Sequence, residues 1–146
     1  MRDALEEVWR QIPRHFSNVR LDEFVVMPNH VHGILWILER DVVGAQHAAP
    51  LPASRTPGVK RASLGAIVRS FKSAATRRVN EVREMPSAAL WQRNYYERVT
   101  RNEDELHRVR EYILLNPLRW EHDHDNPHRT VSPEHEKECG WLEAGR

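Results

Sequence analysis

LDEFVVMPNHVHGILWIL, residues 21–38, is the stretch on which the fold turns. Val, Ile, Phe and Trp crowd its two halves, and these side chains fit a pleated sheet. Pro28 and Asn29 interrupt the run, and both are turn formers. The pattern predicts a β-hairpin with strands over 20–27 and 30–38 and both histidines, His30 and His32, at the start of the second strand. Strand side chains alternate, so the two rings share a face, about 6–7 Å apart along the backbone. Two imidazoles so placed can converge on one divalent ion, yet two ligands do not complete a site. The plainer alternative is a pair of partly exposed histidines at a strand start.

Outward from the hairpin, helical spacing dominates. Leu5, Val8, Trp9, Ile12 and Phe16 mark an amphipathic helix over 3–16, with Asp3, Glu6 and Glu7 near its start, where the helix dipole favours acids. Residues 40–62 hold Pro50, Pro52 and Pro57 among small residues and read as a long mobile loop. Ser63 is a good N-cap for a helix whose apolar face is Leu64, Ile67, Val68, Phe71 and Ala75, leaving Arg69, Lys72 and Arg78 off that face. LWQRNYYERV, 90–99, reads as an aromatic strand. Asn102 with Glu105 forms a capping box for a third helix, striped by Leu106, Val109 and Ile113, and Pro117 is expected to end it. The order α-β-β-α-β-α suits helices packed on one face of a small antiparallel sheet, an α+β class.

The 146 residues suffice for one compact domain. The formal net charge of +1 hides an asymmetry: residues 55–80 carry Arg55, Lys60, Arg61, Arg69, Lys72, Arg77 and Arg78 and no acid. An anionic partner or a solvated basic face both account for it. One cysteine, Cys139, excludes an intramolecular disulfide or a multi-cysteine zinc site and fits a reducing cytoplasm. No signal peptide or membrane span is expected, because the N-terminus lacks an apolar core and Asn29, His30 and His32 break the longest apolar run.

A second candidate constellation lies in EYILLNP. Tyr112 and Asn116 are four apart and share a helix face. A tyrosine with a free pKa of about 10 is a poor nucleophile without an activating neighbour, so a core tyrosine with its hydroxyl at the surface is the bland alternative. Tyr95 and Tyr96 are rivals, but a strand points them to opposite faces. His122, His124 and His128 in EHDHDNPH look like a metal-binding tract, though no helix or strand signal flanks them, and they are read as solvated tail.

VVMPNHVHGIL, SLGAIVRSFKSA, LWQRNYYERVTRNEDE and REYILLNP occur in this order. Their sequence and spacing resemble the REP-associated tyrosine transposases, IS-type single-tyrosine members of the HUH endonuclease superfamily. The superfamily is named for two histidines flanking a hydrophobic residue, here His30-Val31-His32. The likeness covers roughly residues 3 to 120. It implies a ferredoxin-like domain over 1–120, an irregular tail over 121–146, and cleavage and rejoining of single-stranded DNA at palindromic, hairpin-forming repeats. Mg²⁺ or Mn²⁺ would sit on His30, His32 and Asn116 and polarise the scissile phosphate. Tyr112 would attack phosphorus in line to give a 5′-phosphotyrosine and a free 3′-OH, with no need for ATP.

The basic residues Arg61, Arg69, Lys72, Arg77 and Arg78, together with Arg93, would contact phosphates, and Trp91, Tyr95 and Tyr96 are candidates to stack on unpaired bases. The resemblance also implies a strand ahead of the first helix, interior to the sheet. This chain opens in the helix, so its domain is expected to lack that strand. A late start, a decayed gene or a strand supplied by a second chain are the readings, and a homodimer is one possible state. The competing function is a hairpin DNA-binding module that does not cut; a zinc hydrolase lacks a suitably spaced Glu or third His. Either DNA reading predicts a cytoplasmic protein, at the nucleoid when bound.

Overall fold

The computed structural model describes residues 1–38, 63–123 and 126–129. The expected loop 40–62, with Arg61, lies outside the described residues, as do His124 and Cys139. The chain is α+β. Three helices, α1 (Arg2–His15), α2 (Leu64–Arg83) and α3 (Glu103–Arg119), accompany a two-stranded antiparallel sheet of β1 (Val19–Val26) and β2 (Val31–Ile37). A 3₁₀ turn, Trp120–His122, follows α3. No described helix is long and apolar enough to cross a membrane.

The chain divides into two compact units. The first joins Met1–Asp22 to Ile34–Glu97 and is organised by α1 against α2. Leu5, Val8, Trp9 and Ile12 bury one side of α1, and Ile67, Phe71, Ala75 and Val79 bury a four-residue stripe of α2. Trp9 meets Phe71 edge to face, with centroids 5.7 Å apart. That geometry adds about 0.5–1.5 kcal/mol to the burial itself. The exposed Arg78–Glu7 ion pair at 3.1 Å also ties α1 to α2, but in solvent such pairs contribute about 0–1 kcal/mol, so apolar packing decides the arrangement. Ser63 caps α2 as its sequence suggests, its side chain accepting from the Ala66 amide. At the other end Glu84 adopts φ 54°, and its N–H returns to the carbonyls of Asn80 and Glu81.

The strand expected over 90–99 is absent; the segment is irregular. Aromatic content favours a strand only where a neighbour can complete its ladder. Here the Lys72 ammonium takes the carbonyls of Gln92 and Asn94 at 3.3 and 2.7 Å, and Asn94 turns to φ 65°. The argument that Tyr95 and Tyr96 face opposite ways on a strand therefore falls with it.

The second unit comprises Glu23–Gly33 and the described residues from Arg98 onward. Asn102 caps α3 by accepting from the Glu105 amide at 2.8 Å. The reciprocal half of the capping box is displaced: the Glu105 carboxylate reaches the Arg101 amide at 3.0 Å and the Arg98 guanidinium at 2.7 Å. Pro117 does not end α3, which runs two residues further. Proline removes the bond to the Ile113 carbonyl and disfavours helical backbone at Asn116, but Ile113 and Asn116 are both buried on one face, and that burial holds the turn in place. Among the described residues after Trp120, Asn126 is held by side-chain hydrogen bonds. Buried Asn126 donates to the Trp120 carbonyl at 2.8 Å and accepts from the His128 amide at 2.9 Å.

The Arg101 amide, and then the Arg98 guanidinium, hold the Glu105 carboxyl below its ordinary pKa. A folded-state pKa below the unfolded one stabilises above the ordinary carboxylate value and loses that contribution as pH falls through the folded pKa. Glu105→Gln should therefore lower Tm at neutral pH, and the gap to the parent should close on titration toward about pH 3. Parallel thermal melts against pH measure both.

Candidate functional site

Four residues, Met27 to His30, link β1 to β2. Met27 N–H donates to the His30 carbonyl at 2.9 Å, which closes the Pro28-Asn29 turn. His30 therefore sits in the turn, one residue before β2, and only His32 lies on the strand. Its side chain is not held by strand alternation alone. The Asn29 Oδ1 lies 2.6 Å from His30 Nδ1. An amide oxygen only accepts, so Nδ1 carries the proton and neutral His30 presents a lone pair at Nε2.

That Nε2 lies 2.8 Å from His32 Nε2, the rings crossing at 82°. Adjacent ligands on one ion with metal–nitrogen bonds of about 2.1 Å stand about 3.0 Å apart. The pair is thus near the bite of a divalent cation; with a proton between the rings it is an imidazole–imidazole hydrogen bond. Outer donation of Nδ1–H to a carbonyl is also the arrangement that orients metal-ligating histidines.

α3 and the 3₁₀ turn after it supply the rest. The Tyr112 ring meets His32 edge to face at 5.4 Å, and the Trp120 ring lies 5.9 Å from His30. Asn116, one turn beyond Tyr112, is 3% exposed, and its Nδ2 has no hydrogen-bond partner among the described residues. An unpaired buried amide costs about 1–3 kcal/mol. No group of three or more His, Cys, Asp or Glu that could hold a metal exists among the described residues, so an ion here needs an amide oxygen, water or substrate to complete its shell. His30, His32, Tyr112 and Asn116 all fall in the second unit.

Sequence reasoning missed Asn29 and Trp120 as parts of this site. For Trp120 the signal was present: 112, 116 and 120 recur at four-residue spacing.

The basic candidates behave differently from one another. Arg69, Arg77 and Arg93 are exposed, and Lys72 is half-buried on backbone carbonyls. Arg78 is engaged by Glu7 and Glu81, and the hydrogen bond it donates to the Glu7 carboxylate is the main reason its pKa is raised above the ordinary value. Arg61 lies outside the described residues. Of the histidine tract, His122 is half-buried in the 3₁₀ turn and His128 is exposed.

Comparison with known proteins adds one relative. An uncharacterized protein of Haemophilus influenzae is 40% identical over 121 residues, which is 82% of this chain and 66% of the relative. The chain thus spans about two thirds of that protein's length. No family model matches the chain, and no solved structure matches it.

If Asn116 is retained for its amide and not for packing, Asn116→Leu removes the unpaired donor and should stabilise the protein by about 1 kcal/mol. Equilibrium denaturation measures this; a loss of stability would mean that the amide is paired in solution.

Proposed function

We propose that the protein is a single-tyrosine DNA strand transferase of the HUH type. It would act on single-stranded DNA at hairpin-forming repeats, from a ferredoxin-like domain whose core includes the α1-β1-β2-α2 order. The observation that carries this reading is the 2.8 Å approach of His30 and His32 Nε2 with the Tyr112 ring packed on His32. A tyrosine beside two metal-competent imidazoles has the activating neighbour that a free phenol lacks. The four sequence blocks resembling the REP-associated enzymes support the same conclusion.

His30, His32 and Asn116 are the residues that would hold Mg²⁺ or Mn²⁺. The donor set fits an ion whose shell is completed by phosphate oxygen and water. When bound, the ion supplies Lewis-acid polarisation and orientation of the scissile phosphate. The chain's own part is positional. Asn29 fixes the His30 tautomer, and Tyr112 on α3 and Trp120 in the 3₁₀ turn brace the two imidazoles. Tyr112 Oη forms the bond to phosphorus as the P–O3′ bond breaks; its proton leaves to solvent, and the departing O3′ is protonated. Attack by a 3′-OH on the phosphotyrosine reverses the step and rejoins DNA.

Incubation of the full chain with a hairpin oligonucleotide carrying single-stranded flanks, in Mn²⁺, should yield a denaturation-resistant protein–DNA adduct on a gel. Tyr112→Phe should abolish it, and His30→Ala or His32→Ala should reduce its rate by roughly 10²-fold or more. An adduct that survives Tyr112→Phe overturns the assignment. Salt-sensitive hairpin binding by the parent with no adduct, indifferent to chelation, would favour the non-cutting DNA-binding module.

A further inference from the structure

The first unit contains a groove that the histidine–tyrosine site does not use. It has a volume of about 630 Å³, opens widely to solvent and runs between one side of α2 and residues 91–95. Arg69, Lys72, Ser73, Trp91, Asn94 and Tyr95 line it, and none of its lining residues is acidic. Volumes of about 300–1,000 Å³ are those of small-ligand sites.

The groove is built and braced. Lys72 Nζ is held by the Asn94 carbonyl at 2.7 Å and the Gln92 carbonyl at 3.3 Å. The same ammonium stands 5.8 Å from the ring centroids of both Trp91 and Tyr95. Trp91 is locked from two further directions: Nε1 donates to the Lys72 carbonyl at 3.0 Å, and Phe71 lies 5.7 Å away. Two aromatic rings are thus fixed about one cation, while Tyr95 stays 45% exposed. Arg69 is exposed, with no hydrogen-bond or ion-pair partner among the described residues.

Fixed rings with free guanidinium beside them match one ligand chemistry well. An unpaired base has a π-face for the rings, and its phosphate takes the planar fork of arginine. Bracing lowers the ordering cost of binding. An acidic peptide would use the cations but leave the rings without a stacking partner.

We propose that this groove is a binding subsite for an unpaired nucleotide of single-stranded nucleic acid, the base on Tyr95 and Trp91 and the phosphate on Arg69. The inference rests on the strand-transferase reading only for the identity of the polymer; the groove's chemistry stands without it. Tyr96 lines no part of the groove, so the two adjacent tyrosines are unequal.

The test is fluorescence anisotropy of a labelled oligothymidine 8-mer with the full chain in EDTA at about 50 mM salt. The chelator removes the histidine site's metal from the measurement. The parent should bind, and an abasic 8-mer should bind more weakly. Tyr95→Ala should raise Kd about 5-fold or more, while Tyr96→Ala leaves it unchanged. Arg69→Ala should flatten the slope of log K against log salt by about 0.7, one phosphate contact on a single strand. All three substituted side chains are exposed, and circular dichroism confirms that each variant folds.

The proposal is overturned if the parent does not bind, if the abasic strand binds as tightly, if Tyr95→Ala matches Tyr96→Ala, or if polyglutamate displaces the oligonucleotide as readily as unlabelled oligothymidine does. The last result would mark an anionic-peptide surface. The adduct assay is independent: covalent adduct with a silent groove sinks this inference alone, and groove binding without adduct sinks the strand-transfer reading alone.

Discussion

Two imidazole nitrogens 2.8 Å apart cannot both turn lone pairs into the gap between them; a proton or a metal cation must lie there. The arrangement around the pair follows from that constraint. A longer hairpin link would free His30 to swing away, but Pro28-Asn29 closes with a Met27–His30 bond and leaves little room. Asn29 then occupies Nδ1 and so directs the lone pair of neutral His30 at His32. Tyr112 on α3 packs on His32, and Trp120 in the 3₁₀ turn that follows packs on His30. A turn, an amide and two aromatic rings together require a shared proton or a cation between the imidazoles, a requirement that neither histidine has alone.

Several departures from ordinary helix chemistry gather on the same helix. The last turns of α3 contain a proline in the interior, an asparagine in the pre-proline position, and an unpaired buried amide. They also leave Leu118 82% exposed. α1 also carries an interior proline, Pro13, and α2 leaves Val82 53% exposed, but each buries one apolar stripe, and the α2 cap is satisfied by Ser63. Several local rules broken within one turn, as in α3, are expected where function sets the residues. Asn116 is the clearest instance, since leucine would fit the helix better and need no partner.

The parts of this fold that could be read from the chain were those governed by local chemistry. The three helices follow from spacing and caps at Ser63 and Asn102, and the hairpin from Pro28-Asn29 between β-formers. The errors arose where a distant partner overrode a local preference. Strand propensity in 90–99 yields to Lys72, twenty residues upstream of Gln92, which takes the carbonyls a ladder would need. Pro117 should have stopped α3, but the burial of Ile113 and Asn116 carries it through. The histidine pair was legible as a pair, on the wrong ground: shared strand face was the argument, and a turn with an Asn29 bond is what brings the rings together.

Charge shows the same limit most plainly. The acid-free run through α2 looks like a uniform basic surface, yet successive residues turn by about 100° around a helix. Arg78 falls on the flank of the apolar stripe that faces α1, where Glu7 meets it. Arg69, Lys72, Ser73 and Thr76 fall on the other flank, at the groove. There Lys72 is held by two carbonyls and serves to fix the rings, which leaves Arg69 as the groove's exposed cation. Of these three among the five cations on α2, Arg78 is paired with acids, Lys72 is structural and Arg69 is exposed. The count of basic residues overstates the exposed positive surface, and their angular position about α2 is what defines it.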